Sequence, residues 1–120
     1  MSFVGDLQKF SKATGVEIET VVRKVAFDVY KGITQKTPVD TGRAKANWMM
    51  GYGNVNYTIT KNTSFTPISP PKGSGKNVIY ITNSLPYINS LENGSSTQAP
   101  NGMVNLTMLD IQRSIRNVIR

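Results

Sequence analysis

The chemically reactive side chains of this chain are few, and they limit what it can do. Its 120 residues include no histidine and no cysteine, and only seven carry carboxylates. Histidine is the most frequent general base and cysteine a strong nucleophile, so catalysis would depend on carboxylates, lysines, tyrosines or hydroxyl groups. Without cysteine there are also no disulfides and no thiolate metal sites. The sequence therefore predicts a protein that is not an enzyme and that holds no cofactor or metal.

Two short motifs resemble catalytic or phosphate-binding loops, and both lack the required context. The triplet DTG at 40–42 matches the catalytic triplet of aspartic proteases, but it follows a helical pattern instead of a strand. The pair GK at 75–76 resembles the end of a P-loop, but Asn77 replaces the Mg²⁺-binding hydroxyl and Pro70 replaces a glycine. We interpret the first motif as a turn and the second as part of a flexible basic loop.

The acidic side chains offer no clear catalytic pair. Glu17 and Glu19 are two positions apart on a predicted helix, so they point to different sides. We interpret them as solvated charges, together with Asp28, which stands among helix cations. Glu92 has two open interpretations, which are a solvent-exposed charge at a helix end and an ion pair with Arg43 or with a lysine of a neighbouring subunit.

Hydrophobic periodicity predicts that residues 6–36 are helical. A short apolar pattern is interrupted by Gly15, after which apolar residues recur at helical spacing over the rest of the range. Thr37 precedes Pro38, and a proline forces the preceding residue out of the helical conformation, so the helix must end by residue 36. A tight turn over 37–45 follows.

Strand patterns follow this turn. Alternating apolar residues predict strands at 46–52 and 55–60, and the β-branched run VIYIT predicts a buried strand at 78–83. The simplest arrangement places the last of these antiparallel to the first. Trp48, the only tryptophan, is the expected core anchor of the first strand.

Loops and two further helices complete the predicted domain. Residues 61–77 contain three prolines, two glycines and three lysines, which predicts a mobile loop. A short helix is predicted at 86–93, a loop at 94–103 and a C-terminal helix at about 107–119. The resulting prediction for 1–120 is one α+β domain with helices at both ends, packed on a small, mainly antiparallel sheet.

The net charge of +7 is spread along the chain without a dense basic block. Such a surplus suits a protein that lines a passage for a polyanion or meets an acidic partner better than one with a dedicated nucleic-acid groove. Lys61, Lys72 and Lys76 are the candidates for a loop that faces DNA. We expect no membrane segment, because no apolar run reaches the roughly 18 residues of a span and the N-terminus lacks signal-peptide features.

Three motifs together resemble a known family. They are TPVDTGRAKANW, YITNSLPYINSLENGSS and QAPNGMVNLT, in this order between a long amphipathic helix and a last helix. They are similar to the small neck or tail-completion proteins of long-tailed bacteriophages and prophages, which join heads to tails. The resemblance implies structural or interface roles for the matching positions, which are Pro38, Asp40, Thr41, Gly42, Arg43, Trp48, Tyr87, Leu91, Glu92, Gly94, Gln98, Ala99, Pro100, Gly102 and Met103.

The resemblance also implies a function without catalysis. Such a subunit would form a homo-oligomeric ring in the neck or at the head-proximal end of the tail, around the passage for DNA. Its partners would be adaptor, stopper or tail-terminator proteins, and it would reach the virion after assembly in the cytoplasm of the host. Residues 54–77 depart from the family pattern. The alternative is a small basic nucleic-acid-binding protein.

Overall fold

The computed structural model describes residues 3–37, 42–64, 67–92 and 102–119. These ranges contain helices at both ends and one antiparallel pair of strands between them, which confirms the predicted α+β class. In chain order the elements are α1 (Phe3–Thr14), α2 (Ile18–Lys36), α3 (Arg43–Ala46), β1 (Trp48–Tyr52), a 3-10 turn (Ser74–Lys76), β2 (Ile79–Asn83), α4 (Ile88–Glu92) and α5 (Met103–Ile119).

Three helices and one face of the sheet enclose the hydrophobic core. α2 supplies a stripe of apolar residues at helical spacing, and α1 and α5 pack along it. α2 and α5 approach closely at Gly32, where a Cβ atom would lie 2.6 Å from Cγ2 of Thr107. The buried cluster consists of Val21, Val25, Val29, Tyr30, Ile33, Trp48, Met103 and Ile115.

The sheet is an antiparallel pair of strands joined by a long connection. β1 and β2 pair from Trp48 opposite Asn83 to Tyr52 opposite Ile79. Because side chains alternate between the two faces, Trp48, Met50 and Ile81 all pack against the core from one face. The other face points away from the helices.

The prediction of a strand at 55–60 is wrong. The main chain passes over the outer face of the sheet at Gly51, where a Cβ atom would lie 2.0 Å from the carbonyl oxygen of Asn54. Side chains bind this segment in place of a backbone ladder. The Asn47 side chain bonds both the N–H and the carbonyl of Thr60, and Thr82 donates its hydroxyl to the carbonyl of Asn56. Apolar and polar residues therefore alternate over 55–60 although this segment does not pair as a strand.

Other boundaries differ from the sequence expectations in smaller ways. The helical region 6–36 consists of α1 and α2, separated at Gly15, whose φ of 73° ends the first helix. The turn at 37–45 contains the first residues of α3. The C-terminal helix starts at Met103, four residues before the expected position, and its first turn is capped by a distant side chain.

Several residues of the three motifs lie outside the described ranges. This holds for Pro38, Asp40, Thr41, Gly94, Gln98, Ala99 and Pro100, and also for the side chain of Leu91. It holds as well for Val39, Asn93, Ser95, Ser96 and Asn101 of the quoted motifs and for the side chain of Ser90, and the structure describes the other motif residues.

Candidate functional site

The first motif forms the junction between α2 and β1. Thr37 leaves the helix with an extended backbone, at φ −72° and ψ 132°. Its hydroxyl donates to the Ile33 carbonyl at 2.7 Å and accepts the Trp48 indole N–H at 2.9 Å. Tyr30 donates its hydroxyl to the Trp48 carbonyl at 3.1 Å, and burial, with a further contribution from Tyr52, raises the pKa of that hydroxyl. Trp48 is thereby fixed at both its ring and its main chain.

The same motif also fixes the start of the long connection between the strands. Gly42 adopts a φ of 74°, and the position of a Cβ atom there is occupied by the carbonyl oxygen of Thr63. Asn47 is fully buried and donates to the Arg43 carbonyl at 2.8 Å in addition to its two bonds with Thr60. A glycine and a buried amide therefore hold the connection against α3.

Glu92 of the second motif caps the helix that begins in the third motif. Its Oε1 accepts the N–H of Val104 at 2.9 Å, and its Oε2 accepts the N–H of Asn105 at 3.1 Å. These are amides of the first turn of α5, which have no partner within the helix, and a carboxylate there also opposes the helix dipole. Neither sequence interpretation of Glu92 included this role.

Glycine is required beside this cap. Gly102 has a φ of 85°, and a Cβ atom at this position would lie 2.6 Å from the Glu92 carbonyl oxygen and 2.7 Å from its Oε2. Met103, the next residue, is fully buried in the core. Gly102 and Met103 therefore bring α5 onto both the capping carboxylate and the core.

The three motifs are neighbours in space. Asn83 in the second motif pairs with Trp48 across the sheet and donates its side-chain amide to the Ala44 carbonyl at 2.9 Å. Glu92 then joins the second motif to the third. Tyr87 of the second motif, just before α4, is 39% exposed. The motif residues that the structure describes thus serve mainly to connect helices and strands.

A second capping carboxylate lies outside the motifs. Glu19, interpreted from the sequence as solvated, is buried and accepts the backbone N–H groups of Gly73 and Gly75. Arg23 pairs with it at 2.8 Å. Burial alone would raise the pKa of this carboxyl, but Arg23 and the two amides outweigh it, so the pKa lies below its ordinary value of 4.5. The N–H groups of Gly73 and Gly75 converge on one carboxylate oxygen, and we call this arrangement a nest because it is similar to the backbone nests that bind anions.

This nest holds the second half of the long connection on α2. A Cβ atom at Gly75 would lie 2.1 Å from the Glu19 carbonyl oxygen, so only glycine permits this approach. The basic GSGK sequence that resembles a P-loop is therefore bound to a carboxylate of its own chain. The predicted loop at 61–77 is attached at this end.

The three candidate DNA-facing lysines are exposed but are not grouped together. Lys61 follows the residue that Asn47 binds, near the C-terminal end of α2, whereas Lys72 and Lys76 flank the turn bound to Glu19 in its first turn. The 19 residues of α2 span about 28 Å, at 1.5 Å per residue. These lysines cannot form one compact patch, and DNA contact stays a prediction.

Exposed apolar surface occurs on both sides of the molecule. On the long connection, Tyr57 is 74% exposed, Ile59 48% and Ile68 72%. On the helical side, a groove of about 370 Å³ lies between α1, α2 and the start of β2, and Val4 and Val78 at its rim are more than 60% exposed.

Most carboxylates have a structural partner. Asp6 is fully buried and pairs with Arg116 at 3.2 Å, which ties α1 to α5. Five of the seven make ion pairs or accept amide hydrogen bonds, and these are Asp6, Glu19, Asp28, Glu92 and Asp110. Within the described ranges no cluster of acidic residues could hold a metal ion. Among the helices of the described residues, none combines the length and the hydrophobicity of a membrane span.

These contacts define a small α+β protein whose acidic side chains act as helix caps and ion pairs. The family model described as "Bacteriophage HK97-gp10, putative tail-component" matches residues 2–94, more than three quarters of the chain. The chain belongs to this HK97-gp10-like family and is a structural component of a phage tail or neck, which confirms the resemblance to this class of protein, although the third motif lies beyond the matched residues. No curated protein and no solved structure matches the chain.

Proposed function

We propose that this protein completes the head-proximal end of a phage tail, or joins it to the head, as a subunit of a ring around the DNA passage. The observation that carries the proposal is the family match over residues 2–94. The order of the three motifs, which agrees with neck and tail-completion proteins, supports this position in the particle.

A role in assembly is supported by where the polar side chains are engaged. Their polar groups bind other parts of the same subunit. Glu19, Glu92 and Trp48 contribute their polar groups to internal joints between elements. The surface that is left for partners is apolar in places and carries a net charge of +7. A diffuse positive charge suits a channel through which DNA passes, because it attracts the backbone without reading its sequence.

The proposed partners are further copies of this chain and the adjoining neck and tail proteins, namely an adaptor, a stopper or a tail terminator. Closed cyclic assembly is the common way for a small subunit to enclose a channel. DNA in the lumen would touch the ring non-specifically. Assembly would take place in the cytoplasm of the host, and the finished ring would stay in the virion.

Deletion of the gene from its phage or prophage tests this function. We expect lysates of the deletion to contain filled heads and tails that are not joined, with infectivity restored by a plasmid copy. Electron microscopy counts the joined particles, and antibody labelling locates the protein at the neck or tail end. Joined, infectious particles from the deletion strain would refute the proposal.

A salt titration separates this function from direct nucleic-acid binding. Fluorescence anisotropy with labelled DNA should show no tight binding at physiological salt, because the lysines of the loop lie at separate ends of α2. Tight binding with a steep salt dependence would favour the nucleic-acid-binding protein instead.

A further inference from the structure

Residues 55–60 have the pattern of a strand but do not pair as one in the subunit. Val55, Tyr57 and Ile59 alternate with polar residues. Tyr57 and Ile59 are nevertheless 74% and 48% exposed, and within the described residues their main-chain groups make no hydrogen bond. Exposed apolar side chains of this size on a surface segment are features through which another surface is commonly bound. We call residues 55–60 the open segment.

Both ends of the open segment are held in place. At one end, the Asn56 carbonyl accepts the Thr82 hydroxyl at 2.9 Å. At the other end, Asn47 binds the N–H of Thr60 at 2.8 Å and its carbonyl at 3.0 Å. Tyr57 and Ile59 lie between these anchors. A binding segment that is already fixed loses less conformational entropy when a partner binds.

The same chain carries an apolar groove on its other side. Its lining includes Val22 and Ile79, with Val4, Ile18 and Val78 exposed at the rim, and no charged residue contributes to it. The groove opens on the helical side, whereas the open segment covers the sheet face that points away from the helices. One subunit therefore presents the two surfaces in different directions.

We propose that the open segment of one subunit docks, through Tyr57 and Ile59, into the groove between α1, α2 and β2 of the next copy. The contact rests on the proposed ring, and it names the residues that hold neighbouring subunits together. Because the two surfaces differ, the contact is head-to-tail, and repetition of such a contact closes a ring when its rotation permits. The side chains left exposed in the single subunit become buried in this interface.

A second copy fits the groove better than the other available occupants. The internal segment 93–101 has the sequence NGSSTQAPN, which supplies no large apolar side chain. A strongly charged partner would gain nothing from either surface, since neither the open segment nor the groove lining carries a charge. The apolar groove and the apolar side chains of the open segment suit each other.

Disulfide cross-linking tests the contact directly, because the natural chain has no cysteine. The full chain with Ile59→Cys and Val78→Cys is supplied to the deletion phage, and the purified particles are oxidised and separated without reductant. We expect a ladder of dimers, trimers and higher multimers. The matched control is Ile68→Cys with Val78→Cys, since Ile68 is 72% exposed on the same connection but lies outside the open segment.

The outcomes separate this contact from the proposed function. One outcome is that the double variant is present in the particles and still gives no more disulfide-linked multimers than the control. This result would overturn the proposed contact and leave the proposed joining function in place. A ladder from the purified double variant, together with normal joining in the deletion strain, would support the contact and refute the function. If the double variant gives no ladder and the deletion strain still joins heads to tails normally, the proposed contact and the proposed function are both refuted.

A charge in the interface gives a second measurement. We expect Ile59→Lys to lower the number of joined particles by about tenfold or more, because a lysine buried in an apolar groove loses its hydration. Ile68→Lys adds the same charge nearby and should stay within about twofold of the natural chain. Circular dichroism checks that both variants are folded, and equal effects of the two changes would count against the proposed contact.

Discussion

The two faces of the small sheet are built in opposite ways. On the inner face, Trp48 is 6% exposed, and its carbonyl and its indole N–H have buried partners in α2 and at the residue that ends it, Thr37. On the outer face, Tyr57 and Ile59 of the open segment expose apolar side chains to solvent. The inner face belongs to the buried core of the subunit, whereas the outer face is crossed by a segment whose apolar side chains stay exposed. Variants on the two faces should therefore separate folding from assembly.

The largest effect is expected on the inner face, for Trp48→Ala. Loss of a buried aromatic side chain costs about 3–5 kcal/mol, a large share of the roughly 5–15 kcal/mol that stabilises a small domain. The variant also leaves the Thr37 hydroxyl without the indole donor. Chemical denaturation followed by far-ultraviolet circular dichroism measures the change in the free energy of unfolding. A loss below about 1 kcal/mol would show that the junction is not a main support of the fold.

A smaller effect is expected for Glu92→Ala at the cap of α5. Removal of a side-chain cap costs about 0.5–2 kcal/mol, and here two amide partners are lost together. The same denaturation experiment measures this change, and Glu17→Ala is the control, because Glu17 is an exposed carboxylate before α2. Equal stability of the two variants would show that the cap is dispensable.

These two residues also show what the sequence can predict and what it cannot. The sequence predicts Trp48 in the core, because the period-two pattern of a strand lies in neighbouring residues. Glu92 could not be assigned as a cap, because its partners lie 12 and 13 positions away, beyond the reach of local capping motifs. The nearest signals were an acid in an acid-poor region and the glycine at 102. Spacing alone does not say which distant amides a carboxylate will meet.

The predicted strand at 55–60 failed for a related reason. Alternation describes which side chains share a face, but it does not specify a pairing partner. In the subunit, the buried amide of Asn47 binds Thr60 and so replaces part of a ladder. No local pattern predicts the role of Glu19, because its amide partners are 54 and 56 residues away. The fold class and the long helix followed from local patterns, and the contacts that attach the long connection did not.

Glu19→Gln should reveal a pH-dependent attachment of the long connection. The folded state lowers the pKa of this carboxyl below 4.5, so its stabilising contribution is complete above that value. The contribution is lost as the pH falls through the lower pKa of the folded state. The stability difference between the natural chain and the variant should therefore be constant near neutral pH and shrink in acid. Denaturation midpoints from pH 7 to pH 3 measure this difference, with Glu17→Gln as the matched control, and a difference that is constant throughout would contradict the assignment.

The smallest effect on stability is expected on the outer face, for Ile59→Ser. Its side chain is 48% exposed and contacts solvent in the subunit, so we expect a change in the free energy of unfolding within about 0.5 kcal/mol. An apolar side chain that contributes so little to folding lowers the free energy of the protein only where another surface buries it. If Ile59→Ser instead destabilised the single subunit as much as Glu92→Ala does, the open segment would belong to the core, and the contrast between the two faces would be lost. If stability is unchanged while the count of joined particles falls, folding and assembly are separated on this one small sheet.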